Sequence, residues 1–477
     1  MHFPCSAKVI LPAVFSDHMV LQRNASVAVW GWADPNESIR VVGSWNVSDT
    51  VRTKTANDGH WSVKIKTGEA GGPFTLMVEG ANNAVVLQDV LIGEVWICSG
   101  QSNMEYTANW GLENKDSAIA QADFPGIRFF HVPKAGAAYP QEDCKADWEK
   151  CTPATMANNT AVGYYFALEL QRKLQVPVGL IESAWGGTPA EAWVRRDRVE
   201  GNPDLVANEY DDHATGWPVK PGILYNGMIA PIIPYGVAGA IWYQGESNTY
   251  RPGTYAVLMD SLVTGWRADF GQDFPFYYVQ IAPFTYDSTK QKAFILREQQ
   301  DRAQHLIPHS GMVVIGDLVS DIRNIHPKNK LDVGKRLAMY ALADTYGQAV
   351  GAYQSPAYQS MRVDGSKVYL SFDHAEGGLV AEGGPATGGG PAAGGKPGKS
   401  GSGGKEIPHF QIAGDDGQFV DARAVIQGST VVVSAPGVSH PAAVRYCFSN
   451  SAVPTVFSKN GHLPLAPFRT DNWKIID

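Results

Sequence analysis

The chain is 477 residues long, which is room for two or three domains with full cores. Its residues are 44% hydrophobic and 18% charged, with 50 Gly, 30 Pro and 13 Trp, which excludes a disordered chain, a coiled coil and a collagen and leaves a loop-rich globular protein. A net charge of −8, from 39 basic and 47 acidic residues, gives no electrostatic footprint for a nucleic-acid partner or a polybasic membrane-surface protein.

No stretch approaches the roughly 18 apolar residues needed to span a bilayer, so no membrane partner is expected. The start, Met1 to Cys5, lacks the charged and apolar regions of a signal peptide; a cytoplasmic protein and one whose leader lies outside this sequence both fit. Five cysteines, Cys5, Cys98, Cys144, Cys151 and Cys447, are too few and too scattered for a disulfide scaffold. Cys144 and Cys151 either close a small loop or remain free thiols. No CxxC or HExxH spacing occurs, and His18, His60, His131 and His440 have no paired ligand spacing, so no metal and no cofactor are expected.

In chain order, short runs of alternating β-branched and aromatic residues come first: Ser26 to Trp32, Ser38 to Val42, Trp61 to Ile65 and Phe74 to Val78, with Asn57-Asp58-Gly59 as a turn. This spacing predicts an antiparallel β-sandwich over residues 1–92. From about residue 93 apolar runs alternate with segments of helical period. The runs are Leu91 to Ile97, Ile127 to Val132, Val178 to Ile181, Val237 to Tyr243, Phe276 to Ile281 and Met312 to Ile315. The helical stripes are Val162-Phe166-Leu170-Leu174, Tyr255 to Trp266 and Leu331 to Tyr346. Such repetition over 93–349 implies a parallel sheet with helices on both faces, whose ligand crevice lies beyond the carboxyl ends of the strands. Strand-like segments return over 350–477, including Lys367 to Phe372 and Thr430 to Val433. Between them residues 377–404 are nearly half glycine and are expected to form a flexible insertion.

Four polar turns follow predicted strands, where that crevice should be. The first is Ser99-Gly100-Gln101-Ser102-Asn103-Met104-Glu105, with Ser102 either a nucleophile on a strand-to-helix turn or a helix-capping serine. The second, Trp185-Gly186-Gly187-Thr188, offers backbone N–H groups of the kind that stabilise a developing oxyanion. The third, Gln244-Gly245-Glu246-Ser247-Asn248, presents an amide and a carboxylate. The fourth, Gly316-Asp317 to His326-Pro327, supplies a histidine with carboxylates nearby, the base that a serine hydroxyl needs.

The segments GEVWICSGQSNME, SAWGGTP, LYNGMIAPIIPYGVAGAIWYQGESN and IHPKNKLDVGKRLA resemble those of the sialate O-acetylesterase family, a carbohydrate-esterase branch of the SGNH hydrolases. LPAVFSDHMVLQ and WGWADP resemble that family's N-terminal β-domain. The resemblance implies an SGNH-hydrolase-like α/β/α domain flanked by β-rich N-terminal and C-terminal domains. It implies Ser102 as nucleophile and His326 as general base and then acid. The oxyanion hole would combine the Ser102 N–H, a glycine N–H from Gly187 or Gly186, and the Gln244 side chain.

Many SGNH hydrolases carry Asp three residues before the histidine, but Arg323 stands there and Asn324 follows. Asp321 is the first candidate for third triad member and Asp317 the second; a Ser-His dyad is the third possibility. Glu246, Asn248, Asn226, Tyr225 and Arg297 are candidates for binding sugar hydroxyls or a carboxylate. The tryptophans are candidates for stacking on sugar faces. The expected partner is an acetylated carbohydrate, either sialic acid or a plant polysaccharide such as xylan or xyloglucan, which implies a periplasmic or secreted protein. The competing expectation is a non-catalytic carbohydrate-binding protein.

Overall fold

The computed structural model describes residues 8–206, 217–382 and 407–475. Its centre is a sheet whose strands run in the order Ser310–Val313, Phe276–Val279, Gly239–Tyr243, Ala84–Gly100, Val178–Ala184, Phe124–His131 and Trp148–Cys151. Every neighbouring pair is parallel except the last, which is antiparallel. Gly239–Tyr243 and Val178–Ala184 are buried at every position. That explains their continuous apolar sequence, because a parallel sheet is covered on both faces.

The two faces sort by residue parity. Trp242 packs edge-on against Trp193 and Trp266, on the side of the Tyr255–Phe270 helix. Its neighbours Ile241 and Tyr243 belong to the opposite core, with residues of the Ala161–Leu174 and Lys330–Tyr340 helices. The Ala161–Leu174 helix begins where the Thr160 hydroxyl accepts from the Gly163 N–H at 3.1 Å, and it ends at Gln175, which turns left-handed at φ 57°. The Ala293–Leu306 helix is not among the elements expected from the sequence, and it buries Arg297, Gln299 and Gln300 beside Ala293, Leu296 and Ala303.

Ala84–Gly100 is one 17-residue strand that first pairs antiparallel with Gly71–Glu79 and then enters the parallel sheet. The boundary expected at residues 92–93 therefore falls inside a continuous strand, and the apolar residues on either side share one core. Before it, Ser26–Trp32 pairs with His60–Lys66, and Ser38–Gly43 pairs with Val51–Lys54 and Gly71–Glu79, all antiparallel. At the other end, residues from Val368 to Phe468 form a separate core under two four-stranded sheets. The glycine-rich insertion expected over 377–404 lies largely outside the described residues. Its first residues are ordered, since Leu379–Ala381 pairs with Val456–Ser458. Cys144 and Cys151 are both free, and burial pushes each thiol up to about 12. No helix among the described residues is long and apolar enough to cross a membrane.

Gly100 is the tightest point of the sheet. Its φ is +136°, and a Cβ there would lie 2.2 Å from the Tyr243 carbonyl oxygen. Gly100→Ala must therefore push the two central strands apart and hold a conformation that L residues avoid. The expected cost is about 2–4 kcal/mol, seen calorimetrically as a lowered unfolding midpoint; an unchanged midpoint would contradict the close approach.

Candidate active site

Three parallel strands stop at one level, because Gly100 is in register with both Ala184 and Tyr243. The turns that follow must share a small volume. The Gln101 N–H donates to the Tyr243 carbonyl at 3.0 Å and the Trp185 N–H to the Gly100 carbonyl at 3.1 Å, so the turns are stitched together by the strand ends. The Met104 and Glu105 N–H groups both donate to the Gln101 carbonyl, which closes the short Ser102–Glu105 helix. Ser102 sits at its start with its side chain directed across the crevice.

The Ser102 Oγ lies 2.8 Å from His326 Nε2. These residues are 224 positions apart in sequence, and the contact joins the first and last strands of the α/β region. The His326 N–H donates to Asn324 Oδ1 at 3.0 Å, and the imidazole ring lies 6.1 Å from that of Tyr106. Burial, assisted by the positive charge of Lys330, holds the imidazole below its ordinary pKa. A neutral imidazole is the form able to take a proton from a hydroxyl.

Neither candidate aspartate reaches it. Asp321 is exposed, accepts from the Arg323 N–H at 2.9 Å and pairs with the Arg323 guanidinium at 3.0 and 3.3 Å. It builds the turn and meets the very residue that replaces the expected Asp, and that guanidinium holds its carboxyl below the usual range. Asp317 forms a two-pronged pair with Arg336 at 2.7 and 2.6 Å. Among the described residues no carboxylate pairs with His326.

The expected oxyanion donors divide. The Gly186 N–H is already given to Glu105 Oε2 at 2.7 Å. The N–H groups of Ser102 and Gly187 have no partner among the described residues. Gln244 is wholly buried and fully engaged: its Nε2 donates to the Thr188 carbonyl and Asn248 Oδ1, and its Oε1 accepts from the Tyr255 hydroxyl. It braces two loops and does not face the crevice. Gln101, which sequence reasoning passed over, does line it. Gln101 Oε1 accepts from the Gly245 and Ser247 N–H groups at 3.2 and 3.4 Å, and no partner of its Nε2 occurs among the described residues. Its place immediately before Ser102 was the available signal.

The crevice is a cavity of about 620 Å³. Ser102 and His326 line it with Glu105, Lys134, Glu246, Phe284, Tyr286 and Asp287. Three aromatic side chains that also line it, Trp110, Trp217 and Tyr250, are 48%, 49% and 50% exposed. Lys134 is ion-paired with Glu105. Glu246 Oε2 and the Tyr286 hydroxyl are buried without partners among the described residues, and burial raises the pKa of both groups.

Of the expected substrate contacts only Glu246 lines the cavity. Asn248 is spent on Glu191, Ala190 and Gln244; Asn226 donates to the Ala137 carbonyl; the Tyr225 hydroxyl donates to Asp269. Arg297 is buried, its guanidinium donates to the carbonyls of Ser449 and Asn450, and burial lowers its pKa to about 10. It is a fastener between the Ala293–Leu306 helix and the C-terminal strands rather than a carboxylate receptor.

A parallel sheet with a Ser-His pair at its carboxyl edge is an arrangement that serine hydrolases use. A solved carbohydrate acetylesterase from Xanthomonas citri superposes with a TM-score of 0.84 at 34% identity, covering 98% of this chain and 100% of that one. The human sialate O-acetylesterase is 31% identical over 395 residues, 75% of each chain, and the mouse enzyme 29% over 400 residues, 71% of this chain and 74% of that one. Residues 92–343 match the family described as carbohydrate esterase, sialic acid-specific acetylesterase, and the chain belongs to that family.

Asp321→Asn should leave the rate of aryl acetate hydrolysis unchanged, since Asp321 serves only Arg323 and its own turn. A large fall in kcat would put the aspartate back into the catalytic group.

Proposed function

We propose that the protein is a serine-dependent O-acetylesterase of neutral, acetylated glycans. The 2.8 Å contact between Ser102 Oγ and His326 Nε2 at the floor of the cavity carries the reading. Ser102 Oγ attacks the acetyl carbonyl while His326 Nε2 takes its proton. The tetrahedral oxyanion is met by the N–H groups of Ser102 and Gly187 and by Gln101 Nε2. His326 then protonates the leaving sugar oxygen, and water, deprotonated by the same imidazole, releases acetate from the acetyl-enzyme. The non-catalytic alternative loses its ground, because a spent scaffold has no need to hold a hydroxyl and an imidazole in contact.

Charge supports a neutral glycan. Lys134, the one lysine or arginine among the described residues lining the cavity, is neutralised by Glu105, while Glu246 and Asp287 oppose a substrate carboxylate. The half-exposed Trp110, Trp217 and Tyr250 suit sugar faces, and the unpartnered Glu246 Oε2 and Tyr286 hydroxyl suit free hydroxyls beside the ester. Sialate is the substrate in the relatives' names, and its carboxylate is best met by a cation, which the described residues lining this cavity do not leave free. Such glycans lie outside the cytoplasm, so the reading includes a periplasmic or secreted location.

Ser102→Ala and His326→Ala should each reduce aryl acetate hydrolysis by at least about 10³-fold, because the pair acts as a unit; equal turnover by wild type and Ser102→Ala would remove the serine reading. Acetate release from acetylated xylan or xyloglucan should exceed that from acetylated sialosides, and the reverse order would overturn the substrate assignment. The base must be neutral to act and its pKa lies below the ordinary 6.5. The acid limb of kcat/KM should therefore fall below pH 6.5, with activity full above it and lost as pH drops through it.

A further inference from the structure

Behind the nucleophile turn lies a buried polar chain to which Lys330 and Asn103, which the ester chemistry does not use, belong with Glu246 Oε1. Lys330, at the start of the Lys330–Tyr340 helix, is fully buried. Its ammonium donates to Asn103 Oδ1 at 2.6 Å and lies 4.7 Å from the Tyr106 ring centre and 5.2 Å from that of Tyr243. Asn103 Nδ2 donates to Glu246 Oε1 at 2.7 Å and to the Ile325 carbonyl at 3.1 Å. A single amide, on the residue after Ser102, thus joins the nucleophile turn, the Glu246 turn, the peptide before His326 and the helix after it.

We propose that the Lys330-Asn103-Glu246 chain is the positioning device for His326, fixing by way of the Ile325 carbonyl the backbone that carries an imidazole which a triad carboxylate would otherwise orient. This rests on the Ser102-His326 reading above. The imidazole has no carboxylate to hold its ring, so its place over Ser102 Oγ is set by the backbone that carries it, and Asn103 fixes that backbone from the nucleophile side. A buried cation without this amide and without the Glu246 charge would be expelled or neutralised. Lys330, Asn103 and Glu246 Oε1 are kept satisfied by one another at the point where both halves of the dyad meet.

The charge has its own effect. The groups facing His326 are Ser102 and Tyr106 from one side, Lys330 and, through Asn103, Glu246 from behind, and the Glu105-Lys134 pair, Tyr286 and Asp287 across the cavity. On its own loop the exposed Asp321-Arg323 pair is self-neutralising. Lys330 has the unpaired proximity to disfavour imidazolium. Burial brings its own pKa down to about 7, and the Glu246 carboxylate opposes that shift. Removal of Lys330 should raise the imidazole pKa.

The test compares wild type, Ser102→Ala, Lys330→Met and Lys330→Arg in aryl acetate hydrolysis across pH, with thermal melts. Lys330→Met should lose about 10–100-fold in kcat with KM near wild type, as a misplaced base does, and its acid limb should move to higher pH. Lys330→Arg, which keeps the charge, should keep the limb in place. Where Lys330→Met fails to fold, Asn103→Asp, which keeps the side-chain size but turns both donations into repulsions, must show the same kcat loss and upward limb shift. A folded Lys330→Met or Asn103→Asp with wild-type kcat and limb, alongside an inactive Ser102→Ala, overturns the positioning role alone. An active Ser102→Ala overturns the dyad reading and this inference with it.

Discussion

The site depends on three parallel strands that end side by side at Gly100, Ala184 and Tyr243. With no Cβ at Gly100, the chain passes within hydrogen-bonding distance of the Tyr243 carbonyl and delivers Ser102 into the space between the Gly186-Gly187 turn and the Gln244-Gly245-Glu246 turn. The topology reverses at this central strand, since the next three strands in sequence lie on one side of it and the following three stack on the other. A crevice at such a reversal is a consequence of the sheet order. The fourth turn then has only to bring His326 over the same point.

What keeps that point rigid is a set of buried polar groups with few choices of partner. Gln244, Asn248, Glu191 and Tyr255 satisfy one another on one side of the crevice. Asn103, Glu246 and Lys330 do so behind it. In a low-dielectric interior an unmade bond of this kind costs about 1–3 kcal/mol, so the loops cannot drift independently. The cavity wall formed by Phe284, Tyr286, Asp287 and Gln291 is held from outside: the Asn450 carbonyl accepts from the Phe284 N–H, its Oδ1 accepts from the Ala293 N–H, and its Nδ2 donates to the Gln291 carbonyl. The C-terminal strands therefore help to shape a substrate pocket to which they give no reacting group.

Much of this is legible in the residues themselves. The buried parallel strands announce themselves as unbroken apolar runs, and Ser102, Gly187 and His326 stand out because each follows such a run. Less is legible where a side chain's role depends on which way it turns. Gln244 and Gln101 are both amides beside catalytic turns, and only the packing of Tyr255 and Asn248 around the first shows that it faces inward. Arg297 suggests a carboxylate receptor until the Ser449 and Asn450 carbonyls, about 150 residues away in sequence, claim it. The Ala293–Leu306 helix that carries it turns Arg297, Gln299 and Gln300 inward, so its buried face does not read as apolar. Lys330 and Asn103 sit in plain view in the quoted motifs, but a buried ammonium cannot be told from an exposed one by sequence.

The most direct measurement is mass spectrometry of the protein quenched during turnover of an acetylated substrate. An acetyl group on the peptide bearing Ser102, absent in Ser102→Ala, is the predicted result. Steady turnover with no acetyl-enzyme at Ser102, or with the acetyl group carried elsewhere, would contradict a serine esterase built on this strand end.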